Sequence, residues 1–208
     1  MSLSAQKIHL LRARKFYPIG VDWSSLLLVN GTPDDIESAA ATATQTALEE
    51  IASGGIMGLK MTTAGDIVSA LKELPSDYDI AKKGYVSVVW ASAAAAVGAR
   101  DVTWKAQVGG ITPGTNVVAT SDATLTMAVQ APAGSAGTIE ETTQQEIPAD
   151  TFASTDELIN WTVEMDAFDA AFTEDKFLLG AFLEYTRRWY PGSTPQAREG
   201  VAHTRGYN

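Results

Sequence analysis

Few residues of this chain belong to the types that carry out nucleophilic, acid–base or metal chemistry. Its 208 residues include two histidines and no cysteine. His9 and His203 lie near the two ends, so a Ser-His-Asp triad or a multi-histidine metal site has little material. The lack of cysteine excludes disulfides, thiol catalysis and thiolate-bound metal. We therefore expect no catalytic, metal or cofactor site.

The carboxylates are numerous but poorly spaced for paired acid–base work. Adjacent acids occur at positions 34–35, 49–50 and 140–141. Neighbouring side chains diverge by about 100° on a helix and point to opposite faces of a strand. A glycosidase would have to bring together acids that are distant in sequence, such as Asp77, Glu164 and Asp169. The pattern favours a non-enzyme, with a carbohydrate-active enzyme as the remaining alternative.

Two further patterns are typical of ligand sites but have simpler explanations. The glycine-rich stretch VGGITPG at 108–114 lacks the Lys-Ser/Thr ending of a phosphate-binding loop, which predicts a turn. Tryptophans can form a stacking platform for sugars. Trp90, Trp104 and Trp161 fall on faces predicted to be buried, so we interpret them as core residues. Trp189, beside two arginines and a tyrosine, is the candidate for an exposed aromatic.

The elements that would position these residues are mostly strands. From residue 55 onward, short β-like runs are separated by Gly, Pro, Asp and Ser. Apolar and polar residues alternate along 101–108 and 158–165, as in strands with one buried face. The run 176–187 is nearly all apolar, which is typical of a central strand. The predicted strands are 25–29, Ile56–Met61, Ile67–Leu74, Tyr85–Trp90, Asp101–Val108, Thr138–Ile147, Glu157–Ala167 and Lys176–Arg187.

Three other segments interrupt this series. Thr32 as N-cap, Pro33 at the first position and two following acids predict a helix from about Pro33 to Ala52, although the Ala/Thr-rich centre also fits a flexible linker. Residues 67–74 also fit a helical period, but the neighbouring strands favour extended structure. Residues 109–137 predict a long loop with one short element near its middle.

The strands and turns together predict two packed antiparallel sheets. The stretch KELPSDYDIAKKGYVSVVWAS at 72–92 places a turn at 75–79 between two apolar runs. In a sandwich such a turn reverses the chain at the edge, with Ser76 and Asp77 bonding the local backbone. No run of apolar residues is long enough to predict a membrane span, and no secretory leader is visible.

Charge is distributed unevenly along the chain. The net charge is −10, yet residues 1–20 carry four bases and no acid, and residues 186–208 carry four arginines and one glutamate. The acidic total argues against nucleic acid as a partner. The basic ends are either solubilising tails or segments that lie across an acidic surface of a neighbouring copy or a larger assembly.

Several motifs resemble the β-jelly-roll virion proteins of tailed bacteriophages, which include capsid cement or decoration proteins, head fibres and tail-associated modules. They are LPSDYD, GYVSVVWAS, VTWKAQV, DELINWTVEMDAFDA and FLLGAFLEY, within residues 55–186. The resemblance implies an antiparallel β-sandwich of jelly-roll type. The predicted α-helix and the extended terminal arms lie outside the resemblance, so the expected fold is mainly β, a jelly-roll-type sandwich with one α-helix and two terminal arms. The resemblance also implies a homotrimer without a catalytic motif.

These observations lead to one functional hypothesis and one rival. We expect a capsid cement or decoration protein on the virion surface, made in the host cytoplasm. Its partners would be copies of itself and the major capsid protein or another virion protein, with no nucleic acid and no membrane. The rival is a receptor- or carbohydrate-binding module of a phage fibre or tail, in which the 109–137 loop binds the ligand.

The domain boundaries and assembly contacts follow from the same hypothesis. The predicted parts are a basic, aromatic arm (1–31), an alanine-rich helix (32–54), the jelly-roll domain (55–186) and a basic tail (187–208). Deleting residues 2–16 is expected to leave the sandwich folded. The predicted assembly contacts are Lys7, Arg12, Arg14, Lys15, Phe16, Tyr17, Arg187, Arg188 and Trp189.

Overall fold

The computed structural model describes residues 12–18, 48–51, 55–93, 101–114, 123–128 and 135–188, together with the backbone of 26–29 and 32–35. These residues form thirteen strands and no helix. In chain order the strands are β1 Arg12–Pro18, β2 Leu26–Val29, β3 Thr32–Asp35, β4 Leu48–Glu50, β5 Met57–Met61, β6 Asp66–Glu73, β7 Gly84–Ser92, β8 Val102–Ile111, β9 Ala123–Thr126, β10 Ile139–Glu141, β11 Gln145–Ile147, β12 Leu158–Phe168 and β13 Lys176–Thr186.

The strands form two antiparallel sheets. The first, sheet A, has seven strands in the order β10-β7-β13-β5-β4, with β1 added to β13 and β11 added to β7. The second, sheet B, has six strands in the order β3-β2-β6-β12-β8-β9. Every strand pair is antiparallel. The predicted mainly β, jelly-roll-type sandwich is confirmed.

Alternating side chains build the core between the sheets. Trp104, Ala106 and Val108 of β8 are fully buried while the residues between them are only partly covered, as the alternation predicts. Trp90 of sheet A packs on Trp104 of sheet B with ring centroids 6.0 Å apart. Tyr17 likewise packs on a ring of the other sheet, that of Trp161, at 5.5 Å. These contacts across the sandwich show which face of each sheet points inward.

The turn at 75–79 connects the two sheets. β6 ends in sheet B at Glu73 and β7 begins in sheet A at Gly84. The amide of Tyr78 donates to the carbonyl of Pro75 at 2.9 Å, which closes the turn. Asp77 does not bond the local backbone with its side chain; its carboxylate instead accepts a hydrogen bond from the Tyr185 hydroxyl at 3.0 Å. The turn is therefore architectural, as predicted.

The helix predicted over 33–52 is wrong at both of its ends. Residues 32–35 form β3 and residues 48–50 form β4, and the centre of the segment lies outside the described residues. β3 pairs with β2 in sheet B, whereas β4 pairs with β5 in sheet A. Thr32, Pro33 and the two acids after them favour the start of a helix locally. The hydrogen bonds that each end of the segment gains from a different sheet outweigh this local preference.

The arm predicted over 1–31 and the domain boundary at 55 also need correction. Residues 12–18 form β1, which pairs with β13 from Arg12 opposite Thr186 to Pro18 opposite Gly180. The Tyr17 side chain is 4% exposed and belongs to the main core. The first strand that the structure describes therefore begins at Arg12 and belongs to the sandwich. Lys7 and the rest of 1–11 lie outside the described residues.

Candidate assembly surface

The structure does not bring the candidate glycosidase acids together. Asp77 lies beyond the Glu73 end of β6, while Glu164 pairs with Ile67 near the opposite end of the same strand. Each carboxylate has its own partner: Asp77 binds Tyr185, Glu164 lies 3.5 Å from the Lys105 ammonium, and Asp169 accepts the Ala171 amide at 2.8 Å. Within the described ranges no group of three acids or histidines is placed to hold a metal ion.

The tryptophans that the structure describes are core residues. Trp90, Trp104 and Trp161 are each 0% exposed, so none of them offers a ring face to a sugar. This confirms the interpretation from the strand alternation. Trp189 lies outside the described residues.

An apolar groove crosses the outer face of sheet A. Because Tyr17 points into the sandwich, its neighbour Phe16 points away from it. Phe16 packs against Phe182 of β13 with ring centroids 4.7 Å apart and the rings tilted by 42°. The groove encloses about 470 Å³. Its apolar lining consists of Phe16, Pro18, Met57, Val89, Ile139, Leu179 and Phe182.

Three of these side chains are unusually exposed for their type. Phe16 is 40% exposed, Ile139 is 50% exposed and Met57 is 53% exposed. They come from three different strands of sheet A. β1 and β5 pair with β13, and β10 pairs with β7. Contiguous exposed apolar surface of this kind marks contact sites for other molecules, whereas single exposed apolar residues do not.

A glycine in β13 makes room for this arrangement. Gly180 has a φ of 153° and lies where the pairing of β13 with β7 shifts register. A Cβ at this position would lie 2.9 Å from the Phe16 ring and would also meet the Tyr17 carbonyl oxygen. Any larger residue would therefore both strain the backbone and displace β1.

A charged strap borders the groove. The Arg14 guanidinium lies over the Phe182 ring, 3.6 Å from its centroid, and forms an ion pair with Glu141 of β10. Glu141 also accepts a hydrogen bond from the Ser87 hydroxyl. The strap, defined as Arg14, Phe182, Ser87 and Glu141, thus connects β1, β13, β7 and β10 across the outer face.

The outer face of sheet B has a different character. Ser69, Thr162, Gln107 and Thr124 lie in one row across four strands. In the adjacent row the Lys105 ammonium lies 2.6 Å from Asp166 and 3.5 Å from Glu164. Leu71 is the large apolar side chain that stands out on this face, and it is 53% exposed. The apolar surface of the described residues is therefore concentrated on sheet A.

The C-terminal arginines contact the turn at 75–79. The Arg187 guanidinium lies 3.2 Å from the Asp77 carboxylate, and the Arg188 amide donates to the Asp77 carbonyl at 2.6 Å. Tyr78 stacks on Tyr185 with centroids 5.3 Å apart. Burial, with a smaller contribution from nearby Asp79, raises the pKa of Tyr78 to about 12. Burial and nearby Asp77 raise the pKa of Tyr185 to about 12.

Arg188 also lines a cleft at this end of the sandwich. The cleft encloses about 510 Å³ between the turn at 75–79 and the loop at 153–158. Its polar lining includes Glu73, Asp156 and Glu157. Asp156 is already engaged, since its carboxylate accepts hydrogen bonds from Thr112 and from the Ala153 amide.

The predicted assembly contacts divide into three groups. Arg14 and Phe16 lie at the groove, and Arg12 pairs with Glu184 at 3.1 Å beside it. Tyr17 is a core residue, so its prediction as an assembly contact is wrong because the β1 pairing turns it inward. Of the other predicted contacts, Lys15 is exposed on β1, and Arg187 and Arg188 contact the turn of their own chain. Lys7 and Trp189 lie outside the described residues.

Sequence reasoning missed the half of the groove that comes from later strands. Ile139 stands next to two glutamates, and Phe182 belongs to a run that looked buried on both faces. The signal for Phe182 was present: it alternates with Leu183, which is fully buried, so the two side chains point to opposite faces. No local pattern distinguishes Ile139 or Met57 from ordinary strand residues.

Comparisons with known proteins give a limited result. No protein-family model matches the chain, and no curated protein matches it. Among solved structures it is similar to the CBM36-1 domain of a multidomain xylanase from the hindgut metagenome of Trinervitermes trinervoides. The identity is 8%, the match covers 82% of this chain and 96% of that domain, and the TM-score is 0.44. A likeness at this level carries no argument about what the present chain binds.

Proposed function

We propose that this chain is a non-catalytic assembly protein that forms a homotrimer through the outer face of sheet A. The observation that carries the proposal is the apolar groove, where Phe16, Met57 and Ile139 are about half exposed side by side. When a second protein covers such a patch, its apolar surface is removed from water. This burial stabilises the complex by roughly 25 cal/mol per Å² of apolar surface. Among the side chains that the structure describes, the outer face of sheet B has no equivalent apolar groove.

The finer role follows from the sequence resemblance to phage jelly-roll virion proteins. We place the trimer on the outside of a bacteriophage head as a cement or decoration protein. The two basic ends of the sequence would contact the capsid. Lys7 belongs to the N-terminal end and Trp189 to the C-terminal end. Because β1 belongs to the sandwich, the capsid-binding part of the N-terminal segment would be residues 1–11 and not 1–16.

Purified particles of the virus that encodes the chain provide the test. The chain with residues 2–11 deleted should keep its β circular dichroism signal, because β1 begins at Arg12. Its occupancy on the particles should fall well below that of the intact chain. Full occupancy of the deleted chain would show that the basic N-terminal segment is not the attachment site. Absence of the intact chain from particles would contradict the virion assignment.

A sugar-binding role is the competing function. The described tryptophans are buried, and in the described part of the end cleft the lining aromatic, Tyr78, is 4% exposed beside acids and one exposed arginine. No observation on the described residues favours this role over assembly. Glycan-array binding by the purified chain, retained when Ile139 is replaced by glutamate, would support it instead.

A further inference from the structure

The described part of the chain ends at the rim of the end cleft, the cleft between the turn at 75–79 and the loop at 153–158. Tyr78 and Arg187 form an antiparallel bridge, and the Arg188 amide donates to the Asp77 carbonyl at 2.6 Å. Residues 187 and 188 therefore continue the antiparallel pairing beyond the last residue of β13. Arg188, the last residue that the structure describes, itself lines the cleft.

This pairing runs toward the cleft. In an antiparallel pair, each step forward along one segment is a step backward along the other. Continuing the register past Arg188 would set Trp189 opposite Ser76, and Ser76 lines the cleft with Pro75. The residue after Trp189 is also aromatic, Tyr190. The sequence therefore supplies an aromatic pair at the point where the chain reaches the cleft.

The lining of the cleft suits an aromatic side chain. Its apolar part consists of Leu74, Pro75, Tyr78, Ile80 and Leu158. Leu74 is 7% exposed and Tyr78 is 4% exposed, so these two lie at its base. The volume of about 510 Å³ falls within the range of pockets that hold small ligands, about 300–1,000 Å³. A tryptophan side chain buries about 150–250 Å² when it is fully covered.

We propose that the end cleft is the docking site for the segment that follows Arg188 in the same chain, with the Trp189 side chain against Leu74 and Tyr78. Adjacency selects this occupant, because Trp189 is bonded to a residue that already lines the cleft. A ligand on a short tether acts at an effective concentration on the order of millimolar, so it displaces a free peptide of similar affinity.

Docking would fix where the basic C-terminal end begins. Arg12 pairs with Thr186, so residues 1–11 join sheet A at the end where residues 187 and 188 leave β13. Arg198 and Arg205 follow the docked residues in the sequence and stay available for the capsid contact of the proposed function. The docking itself requires neither that contact nor the homotrimer.

Acrylamide quenching of tryptophan fluorescence tests the docking on the full chain. The described tryptophans are 0% exposed, and subtracting the signal of Trp189→Phe isolates the contribution of Trp189. Ala153→Arg fills the cleft from an exposed position in its lining. Ala171→Arg is the matched control, since Ala171 is an equally exposed alanine whose amide also donates to an aspartate, in the loop between β12 and β13.

The acrylamide quenching constant of Trp189 should be several-fold lower in the unmodified chain and in Ala171→Arg than in Ala153→Arg. Circular dichroism of the three proteins should be the same, because both alanines are exposed. Equal quenching of Trp189 in all three, whether strong or weak, would overturn the docking.

Cysteine pairs show which copy supplies the segment, since the chain has no native cysteine. Ser154→Cys places a thiol on an exposed residue of the cleft, and Gly192→Cys places one three residues after Trp189. Oxidation of this double variant should give a disulfide within one chain, whereas Ala171→Cys with Gly192→Cys should not. Covalent oligomers would assign the cleft to the segment of a second copy, and two free thiols would leave the cleft without this ligand. Either result overturns the proposal.

Discussion

Arg14 lies over the face of Phe182, with its guanidinium carbon 3.6 Å from the ring centroid. The same guanidinium forms an ion pair with Glu141 on the far side of β7. This contact attaches β1, a strand remote in sequence, to the centre of sheet A. A cation over an aromatic ring at an exposed site stabilises by about 0.5–1 kcal/mol, and an exposed ion pair adds little more.

Replacing Arg14 by Ala should therefore lower the free energy of unfolding by about 1 kcal/mol, because both contacts are lost together. Lys82→Ala is the matched control, since Lys82 is also an exposed base but lies in the turn before β7. Urea unfolding followed by tryptophan fluorescence measures the difference. Equal midpoints for the two variants would show that the strap does not stabilise β1.

Tyr17 tests whether β1 is part of the folded core. Tyr17→Ala should destabilise the chain by about 3–5 kcal/mol, as truncation of a buried aromatic does elsewhere. Tyr17→Phe should cost far less, because within the described residues the hydroxyl makes one long hydrogen bond, 3.4 Å to the Glu73 carbonyl. Thermal unfolding of the two variants separates these outcomes. A small, equal effect of both would restore the view of residues 12–18 as a dispensable arm.

Lys176 is a buried cation whose role is structural. It is 3% exposed, donates to the carbonyls of Phe172 and Glu174 at 2.8 and 3.0 Å, and lies over the rings of Phe168 and Phe172. Lys176→Met keeps the apolar stem but leaves the carbonyls without their donor. We expect a loss of about 1–3 kcal/mol in the free energy of unfolding.

Urea unfolding of Lys176→Met beside Lys82→Met measures this loss. The control removes an exposed ammonium with the same change in side chain. An unchanged midpoint for Lys176→Met would mean that the ammonium does not hold the loop at 169–175 against β13.

The stacked tyrosines predict a loss of stability at alkaline pH. Folding raises the pKa of Tyr78 and of Tyr185 from the ordinary value near 10 to about 12. Above pH 10 the unfolded chain therefore releases phenolic protons that the folded chain retains. The stabilisation is complete below pH 10 and is lost as pH rises through 12, by about 2–3 kcal/mol for each tyrosine in total.

Urea unfolding at pH 9 and pH 11 measures this loss. The Tyr78→Phe, Tyr185→Phe double variant is the control, since it has no phenol at either position and should lose less stability over the interval. The same loss in both proteins would assign the alkaline effect to other groups.

The parts of the fold that sequence predicted well are those in which local pattern and tertiary pairing agree. Val102 to Val108 alternate along β8, and the buried tryptophans lie on the faces that the alternation assigns to the core. The helix predicted near Thr32 failed because end signals describe only local preference, while β3 and β4 gain their hydrogen bonds from strands of different sheets.

The candidate site was predictable only in part for the same reason. Arg14 and Phe16 stood out as a basic and aromatic segment, but their meeting with Phe182 and Glu141 depends on pairing across more than 100 residues of sequence. The groove is created by the order of strands in sheet A, which no short stretch of sequence encodes.

Light scattering of two matched variants at micromolar concentration shows whether the outer face of sheet A joins copies of the chain. Ile139→Glu puts a charge in the groove, and Leu71→Glu puts the same charge at an equally exposed leucine on the opposite sheet. A homotrimer joined through this face should give three times the 22.1 kDa chain mass for the unmodified protein and for Leu71→Glu, and the monomer mass for a folded Ile139→Glu. A monomeric unmodified protein, or a trimer that survives Ile139→Glu, would contradict it.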